Sequence, residues 1–280
     1  MSTTMAVPSA VLEPPRGLGR LRRAARDAWL ITGRDVAQWV HEPQMILWGL
    51  LMPVMFVVLF AYVLGSAMVV PGGGSYQAFV LPGMFVQTMA FGIGETLASV
   101  QADAAKGVTD RFRSMPMAPS AVVVGRCLAN MVYSVFSLVV MVLAGLAVGW
   151  RWEGSTADAF AAFGLLLLLR FAFLWIGILL GLKATSAEMA NSIYGLLYPV
   201  TMISNAFVAT ALLPVWLGTI AEWNPLSATT TATRELFGNP TGDPTGWVGE
   251  HALQLAVLWP LVITAEALPL AVRAFRKLSR

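Results

Sequence analysis

Residues 43–94 read PQMILWGLLMPVMFVVLFAYVLGSAMVVPGGGSYQAFVLPGMFVQTMAFGIG, a run of 52 positions without Asp, Glu, Lys or Arg. A membrane-spanning helix needs about 20 predominantly apolar residues, so the run is long enough for two of them. Pro71-Gly72-Gly73-Gly74-Ser75 interrupts it, and clustered Pro and Gly are typical of a turn. The stretch therefore predicts two membrane spans joined by a short polar turn.

The composition of the whole chain agrees with this prediction. Of its 280 residues, 57% are hydrophobic and 12% are charged, whereas a soluble domain carries about 25% charged residues. Cys127 is the single cysteine, and His41 and His251 lie far apart, so neither a disulfide framework nor a multi-His or multi-Cys metal site is expected. These observations exclude a soluble enzyme and a disordered chain, and they favour an integral membrane protein with the lipid bilayer, not nucleic acid, as partner.

The same criteria predict an all-α membrane protein with six spans. The predicted spans are about residues 45–65, 79–101, 121–149, 158–182, 191–213 and 251–272. The chain is predicted to begin with a flexible cytoplasmic tail at 1–17 and an amphipathic elbow helix at 18–42. The transmembrane domain follows at 43–272, and a basic cytoplasmic tail at 273–280 ends the chain. The elbow has a basic face typical of a helix in the headgroup layer. A simple basic anchor on anionic lipid is the alternative.

Basic residues predict the orientation of the chain. If the N-terminus is cytoplasmic, fifteen of the 18 Lys and Arg residues fall on the cytoplasmic side, while the acidic residues are nearly evenly divided. Such a bias in Lys and Arg alone is the pattern of the positive-inside rule. We therefore expect both termini in the cytoplasm.

Two connections are too long and too apolar for plain turns. Residues 101–120 mix charged side chains with Phe and Met, which favours a docking helix for a cytoplasmic partner over a loop lying on the bilayer. Residues 214–250 carry three tryptophans and are broken at Asn224-Pro225. We expect two short interfacial or re-entrant helices there, or an aromatic belt at the membrane surface.

Catalytic motifs are missing from the sequence. No Gly-x-x-x-x-Gly-Lys-Ser/Thr loop is present to hold ATP phosphates, and the two histidines are too remote to form a triad with a nucleophile. The chain is therefore not expected to be a self-sufficient ATPase or hydrolase.

Three charged residues fall inside predicted spans, at depths of about 18 Å for Arg170, 22 Å for Glu266 and 24 Å for Glu95 from the external ends. A charge in the bilayer is costly unless it is paired or hydrated. Three interpretations are open: mutual neutralisation of Arg170 with either glutamate, the lining of a substrate pathway, and proton coupling through the glutamates. Gly145-x-x-x-Gly149 and Gly177-x-x-x-Gly181 also permit close helix packing.

Short motifs along nearly the whole chain resemble those of ABC-2 type permeases, most closely the daunorubicin/doxorubicin-resistance branch. They are, in order, Leu81-Pro82-Gly83-Met84-Phe85-Val86-Gln87, Glu95, Gly107, Arg111-Phe112-Arg113-Ser114-Met115-Pro116, Gly125-Arg126, Asn224-Pro225-Leu226 and Arg234-Glu235-Leu236-Phe237. Phe112 stands where the family pattern has leucine.

The resemblance implies the membrane half of an ATP-binding-cassette exporter in a bacterial plasma membrane. Two identical or related permeases would face each other, and a separate ATPase subunit would bind ATP and Mg²⁺, so this chain would bind no cofactor. It also implies a coupling helix in the loop between spans two and three, at Lys106, Gly107, Asp110, Arg111, Phe112, Arg113 and Pro116.

The sequence thus favours a permease subunit that exports a hydrophobic or amphipathic drug, natural product or lipid-like compound. A proton-coupled secondary transporter using Glu95 or Glu266 is the first alternative, since discontinuous helices and carboxylates near the membrane midplane would suit it. A scaffold that recruits a cytoplasmic complex without transport is the second.

Overall fold

The computed structural model describes residues 43–65, 70–105, 119–244 and 246–278, together with Arg26, Trp29, Thr32 and Gly33. Every regular element in these residues is helical, which confirms the predicted all-α class. The α-helices of this part of the chain, numbered α1 to α9, are Pro43–Val58, Tyr76–Ala105, Pro119–Ala147, Thr156–Lys183, Ala187–Met202, Val215–Glu222, Pro225–Phe237, Gly246–Glu250 and Ala252–Leu278. A π-helix at Leu59–Leu64 continues α1, and a 3₁₀-helix at Thr210–Leu212 follows α5.

Four of these helices are long and apolar enough to cross a membrane. The qualifying segments are Tyr76–Ala105, Cys127–Ala147, Thr156–Lys183 and Ala252–Phe275, in α2, α3, α4 and α9. A shorter apolar helix covers Leu47–Val63. The chain is therefore a multi-pass membrane protein, and the count of six spans stays a prediction.

The fifth predicted span, 191–213, is shorter in the structure. Helix α5 contains Pro199 and ends at Met202, where Ile203 leaves the helical conformation with φ −79° and ψ 69°. The carbonyl of Ile203 accepts a hydrogen bond from Asn224 Nδ2 at 2.7 Å. A side chain more than twenty positions away thus supplies a hydrogen bond to the backbone where α5 ends. The local sequence does not reveal this partner.

Helix α4 lies at the centre of the bundle, between α2 and α9. Close contact with α2 depends on two glycines: a Cβ at Gly177 would lie 2.8 Å from the Ile93 carbonyl oxygen, and one at Gly181 would lie 2.7 Å from Val100 Cβ. This Gly-x-x-x-Gly pair therefore does mediate close helix packing. Gly149 does not: it has a φ of +97°, a Cβ added there would meet no atom within 4 Å, and it follows the end of α3.

The connection between α3 and α4 packs onto one end of the bundle through Trp150. Its ring makes edge contacts with Phe85 and Phe237, at centroid distances of 5.1 and 5.2 Å. Its Nε1 donates a hydrogen bond to Asn239 Oδ1 at 2.8 Å. This buried indole therefore joins α2, the α3–α4 connection and the end of α7.

The segment before the last helix divides at Asn224, as the sequence predicted. Asn224 caps α7, since its side chain accepts a hydrogen bond from the Leu226 backbone, and Pro225 occupies the first turn. Helix α6 exposes Val215 and Trp216, whereas α7 packs against α2, α4 and α9. The interpretation as interfacial helices therefore fits α6, while α7 is part of the protein interior.

Two predicted segments fall largely outside the described residues. The coupling segment, Lys106 to Pro116, lies outside them entirely. Of the elbow at 18–42, four residues are described, each helical, and Thr32 is buried and donates a hydrogen bond to the Gly125 carbonyl at 3.0 Å. The elbow therefore contacts α3 at this point.

Candidate functional site

A cavity of about 540 Å³ lies between α1, α2 and α5, a size typical of sites for drug-sized ligands. Aromatic rings form much of its wall. They belong to Trp48, Phe56, Phe60, Phe91, Tyr194, Tyr198 and Phe207. No Lys, Arg or His lines the cavity among the residues that the structure describes.

The centre of the aromatic wall is a cluster of three rings on α2 and α5. Phe91 stacks on Tyr198, with a centroid distance of 5.6 Å and an interplanar angle of 10°. Tyr194 meets Phe91 edge-on at 6.4 Å. Gly94 makes this possible, because a Cβ at that position would collide with the Tyr194 ring. The cluster therefore presents flat, polarisable surfaces to the cavity.

Gln87, in the same wall, is held by a hydrogen bond to α5. Its Nε2 donates to Thr201 Oγ1 at 2.7 Å, and the Thr201 hydroxyl in turn donates to the Tyr198 carbonyl at 2.9 Å. Since the hydroxyl proton is already used, the threonine oxygen must accept, and this fixes the orientation of the Gln87 amide. Gln87 Oε1 is consequently buried without a hydrogen-bond partner among the described residues.

Glu95 lies two turns further along α2 and is the single acidic residue in the described lining. Its side chain is exposed to the cavity, and none of the hydrogen bonds found among the described residues involves its carboxylate. Arg170, within the bundle, is an opposite charge that interacts electrostatically with Glu95. The cavity therefore combines aromatic walls with a carboxylate that has no hydrogen-bond partner in the described part of the chain.

Arg170, on α4, is 1% exposed and is held by hydroxyl groups. Its Nε donates to Ser134 Oγ at 2.6 Å, and its Nη2 donates to Thr96 Oγ1 at 3.3 Å. Both hydroxyls use their own protons on carbonyls one turn earlier in their helices, so their oxygens are free to accept. The guanidinium lies against Gly92, where a side chain would collide with it.

The three intramembrane charges thus have different environments. Glu95 lines the cavity, Arg170 is enclosed by α2, α3 and α4, and Glu266 is exposed on α9 away from the cavity. No ion pair within 4.0 Å joins Arg170 to either glutamate in the described part of the chain. The electrostatic partner of Arg170 is Glu95 rather than Glu266.

Arg234, on α7, is a structural residue, a role that the sequence does not predict for it. It is 0% exposed. Its Nε donates to the Phe79 carbonyl at 2.7 Å, its Nη2 donates to the Asn205 and Ala206 carbonyls at 3.0 Å, and its guanidinium lies 3.5 Å from the centroid of the Phe79 ring. Burial lowers the pKa of Arg234 to about 9, so the side chain stays protonated at neutral pH.

The sequence signal for Arg234 is its place in the motif Arg234-Glu235-Leu236-Phe237, whose phenylalanine is also fully buried. The sequence around Arg234 follows the Thr-rich run at 229–231 and has no regular spacing of apolar residues. The local pattern therefore does not predict that this side chain is buried. Only the tertiary structure brings the carbonyls of α2 and of the break after α5 to this side chain.

Comparison with known proteins identifies the family. Residues 26–237 match the family described as ABC-2 type transporter, which covers α1 to α7 with the cavity and both buried arginines. The chain belongs to this family of transporter permeases. It is also 32% identical, over 210 residues, to the daunorubicin resistance ABC transporter permease protein DrrB1 of Streptomyces coeruleorubidus, covering 75% of this chain and 74% of that protein. The predicted ABC-2 permease of the drug-resistance branch is therefore confirmed.

Proposed function

We propose that this chain is the permease subunit of an ABC exporter that moves a hydrophobic or amphipathic drug, natural product or lipid-like compound out of the cell. The observation that carries the proposal is the cavity of about 540 Å³ between membrane helices, in a chain related to a drug-resistance permease. A largely aromatic wall suits a substrate that partitions into the bilayer.

The translocation pathway is proposed to run along this cavity and to be completed by a second permease. Trp48 on α1 and Tyr194 on α5 both line the cavity, yet they are 66% and 44% exposed. The cavity therefore opens at the surface between these helices. A second copy of this chain, or a related permease, would close that side.

Energy is proposed to come from a separate ATPase subunit that binds ATP and Mg²⁺. The sequence lacks the phosphate-binding loop such an enzyme needs, and the predicted coupling segment from Lys106 to Pro116 provides a basic docking surface. A change from mostly inward-open to mostly outward-open needs about 5.5 kcal/mol of differential binding. Contacts of the ATPase that differ between its two states would supply it.

The proposed location is the plasma membrane of a bacterium, with both termini in the cytoplasm. The excess of Lys and Arg on one side of the predicted topology supports this orientation. In that orientation the coupling segment and the ATPase lie on the same side of the membrane.

A proton-coupled secondary transporter is the second candidate, because Glu95 lines the cavity without a hydrogen-bond partner in the described residues. Such a protein would work without an ATPase.

Purification in mild detergent and vesicle transport separate the two candidates. The exporter predicts that an ATPase copurifies and that inside-out vesicles accumulate substrate only with ATP. Accumulation with a pH gradient and no ATP, together with no copurifying ATPase, would overturn the exporter in favour of the secondary transporter.

A further inference from the structure

The guanidinium of Arg170 has a donor nitrogen that the structure leaves unused. Its Nε and Nη2 donate to Ser134 and Thr96, whereas its Nη1 is buried and has no hydrogen-bond partner among the described residues. A buried donor that stays unpaired keeps its full desolvation penalty, and the penalty is larger when the group is charged. Arg170 therefore has one position at which a further acceptor would be strongly stabilised.

Gly92, on α2, shows where this unused donor lies. A Cβ built on Gly92 would collide with Nη1 and Cζ of Arg170, so Nη1 lies close against the backbone of α2 at this glycine. Because glycine has no side chain of its own, the surface of α2 beside Nη1 can be covered by a side chain from the next turn of the helix.

Glu95 is placed to supply that side chain. It follows Gly92 by three positions, and residues at i and i+3 share one face of an α-helix. Long side chains of a helix lean toward the preceding turn, so a rotamer of Glu95 exists that lies over Gly92. In the structure the carboxylate lines the cavity instead, and no ion pair within 4.0 Å joins it to Arg170 in the described part of the chain.

The state of the cavity decides which position of the Glu95 side chain is favourable. While the cavity is open, water can hydrate the carboxylate, which then needs no protein partner. When α1 and α5 close on α2, this water leaves, and a carboxylate without water or a partner is costly inside a membrane protein. A charge-assisted hydrogen bond from Nη1 of Arg170 would replace the lost hydration. Pairing of the two residues is thus coupled to closure of the cavity.

We propose that Glu95 and Arg170 form a two-position switch, in which the carboxylate faces the open cavity and turns over Gly92 to pair with Nη1 of Arg170 when the cavity closes. The inference rests on the proposed transport cycle and names the pair of residues that stabilises one of its states. Arg170 is the fixed half of the switch, since Ser134 and Thr96 hold its other nitrogens, and Glu95 is the moving half.

The test measures how often the cavity is open, through the rate at which a charged maleimide labels a cysteine in its wall. Thr88→Cys places that cysteine in the lining, and Cys127→Ala removes the buried native thiol. The full-length permease in lipid nanodiscs is the sample. Glu95→Gln removes the charge that pairs with Arg170 in the closed state, so we expect labelling to become about tenfold faster, which corresponds to about 1.4 kcal/mol.

The opposite result is expected if no pair forms. Closure would then bury an unpaired carboxylate, Glu95→Gln would remove that cost, and labelling would become slower. A slower or unchanged rate therefore overturns the switch. Glu266→Gln is the matched control, because it neutralises a carboxylate of α9 that lies outside the cavity, and equal acceleration by this variant would also overturn the proposal. Thermal unfolding shows whether each variant is folded.

A second background shows whether Arg170 is the partner. In Arg170→Gln the charged donor is gone, so adding Glu95→Gln should no longer accelerate labelling. Tenfold acceleration in this background as well would show that Glu95 acts without Arg170 and would overturn the pairing. If Arg170→Gln does not fold, the comparison of Glu95→Gln with Glu266→Gln decides alone.

A non-hydrolysable ATP analogue gives a separate readout of the exporter function. The exporter predicts that the analogue changes the labelling rate of the permease bound to its ATPase. If it does so while wild type and Glu95→Gln label at the same rates, the exporter stands and the switch fails. If Glu95→Gln accelerates labelling but no ATPase copurifies, the switch stands and the exporter assignment fails.

Discussion

Arg170 and Arg234 are both fully buried, and the oxygen atoms that accept their hydrogen bonds are all neutral. Hydroxyls of Ser134 and Thr96 hold Arg170, while three backbone carbonyls hold Arg234. A guanidinium with five donors can satisfy several acceptors at once. Each arginine therefore connects helices that are distant in sequence, and its removal leaves buried acceptors unpaired.

Replacing Arg170 with Ala is expected to reduce stability more than it changes substrate choice. The substitution leaves the oxygens of Ser134 and Thr96 without their donor and opens a void beside Gly92. A loss of about 3 kcal/mol or more is expected, measured as folded yield and thermal unfolding in detergent. Lys183→Ala, at the exposed end of the same helix, is the control and should cost at most about 1 kcal/mol.

A normal yield of Arg170→Ala, together with an altered range of transported compounds, would contradict this structural role. It would place Arg170 on the substrate pathway, as one of the interpretations of the sequence allowed.

Gln87→Met is expected to weaken the contact between α2 and the end of α5. The variant keeps the side-chain volume but removes the Nε2 donor, so the Thr201 hydroxyl loses the hydrogen bond it accepts from Gln87. One hydrogen bond contributes about 0.5–1.5 kcal/mol, and we expect a loss of this size in the free energy of unfolding, measured in detergent. Unchanged unfolding would show that the hydrogen bond to Thr201 does not stabilise this contact.

The packing of α4 against α2 depends on glycines that face the partner helix. Gly177→Ala and Gly181→Ala would each place a Cβ under 3 Å from atoms of α2, and overpacking of this kind costs about 1–3 kcal/mol. Gly164→Ala is the matched control on the same helix, because nothing lies within 4 Å of its Cβ position. It should be neutral or stabilise the protein by about 1 kcal/mol through helix propensity.

Thermal unfolding of the three alanine variants in one detergent provides the comparison. The glycine contacts would be unimportant if Gly181→Ala unfolded at the same temperature as Gly164→Ala.

Helix positions were predictable from the sequence where apolar runs are long, even when a single charge such as Glu95 or Arg170 falls inside them. The spans predicted at 79–101 and 158–182 correspond to α2 and α4, which extend up to four residues further at each end. The end of α5 was not predictable, because residues 203–209 continue the charge-free run of the span. There the backbone is satisfied by Asn224 and Arg234, more than twenty positions away.

The same distinction applies to the site. Glu95 could be identified from the sequence because a charge inside an apolar run is rare. The roles of Gln87, Phe91 and Tyr194 could not be, since uncharged residues of a membrane span do not reveal whether they face lipid, protein or a cavity. Only the packing of α1, α2 and α5 around the cavity shows which uncharged residues line it.

Arg234→Lys is expected to loosen the break after α5. A lysine ammonium cannot contact the carbonyls of Phe79, Asn205 and Ala206 in the fixed geometry of a guanidinium. Hydrogen exchange of the amides at 203–209 should become at least about tenfold faster, which equals about 1.4 kcal/mol of local stability. Glu235→Gln, an exposed neighbour on the same helix, is the control. Unchanged exchange in the lysine variant would show that Arg234 does not hold this segment.

Across the whole protein, α2 links the two places where the proposed mechanism acts. It carries Gln87, Phe91 and Glu95 in the cavity, and it ends at Ala105, next to the predicted coupling segment. An α-helix of 30 residues is about 45 Å long, and α2 has no proline between Gln87 and Ala105. A displacement of the coupling segment by the ATPase would therefore shift three cavity residues together.

Charge reversal in the coupling segment should separate ATP hydrolysis from transport. We expect Arg111→Glu with Arg113→Glu to abolish copurification of the ATPase or to uncouple its ATP hydrolysis from substrate export, because both changes replace attraction to an acidic partner surface with repulsion. Arg273→Glu, an exposed basic residue of α9 outside this segment, should keep both activities. Thermal unfolding of the isolated permease should be the same in wild type and in both variants, since Arg111 and Arg113 lie outside the packed helices described above and the side chain of Arg273 is exposed. Full ATP-dependent export by the double variant would show that the ATPase acts on the permease elsewhere.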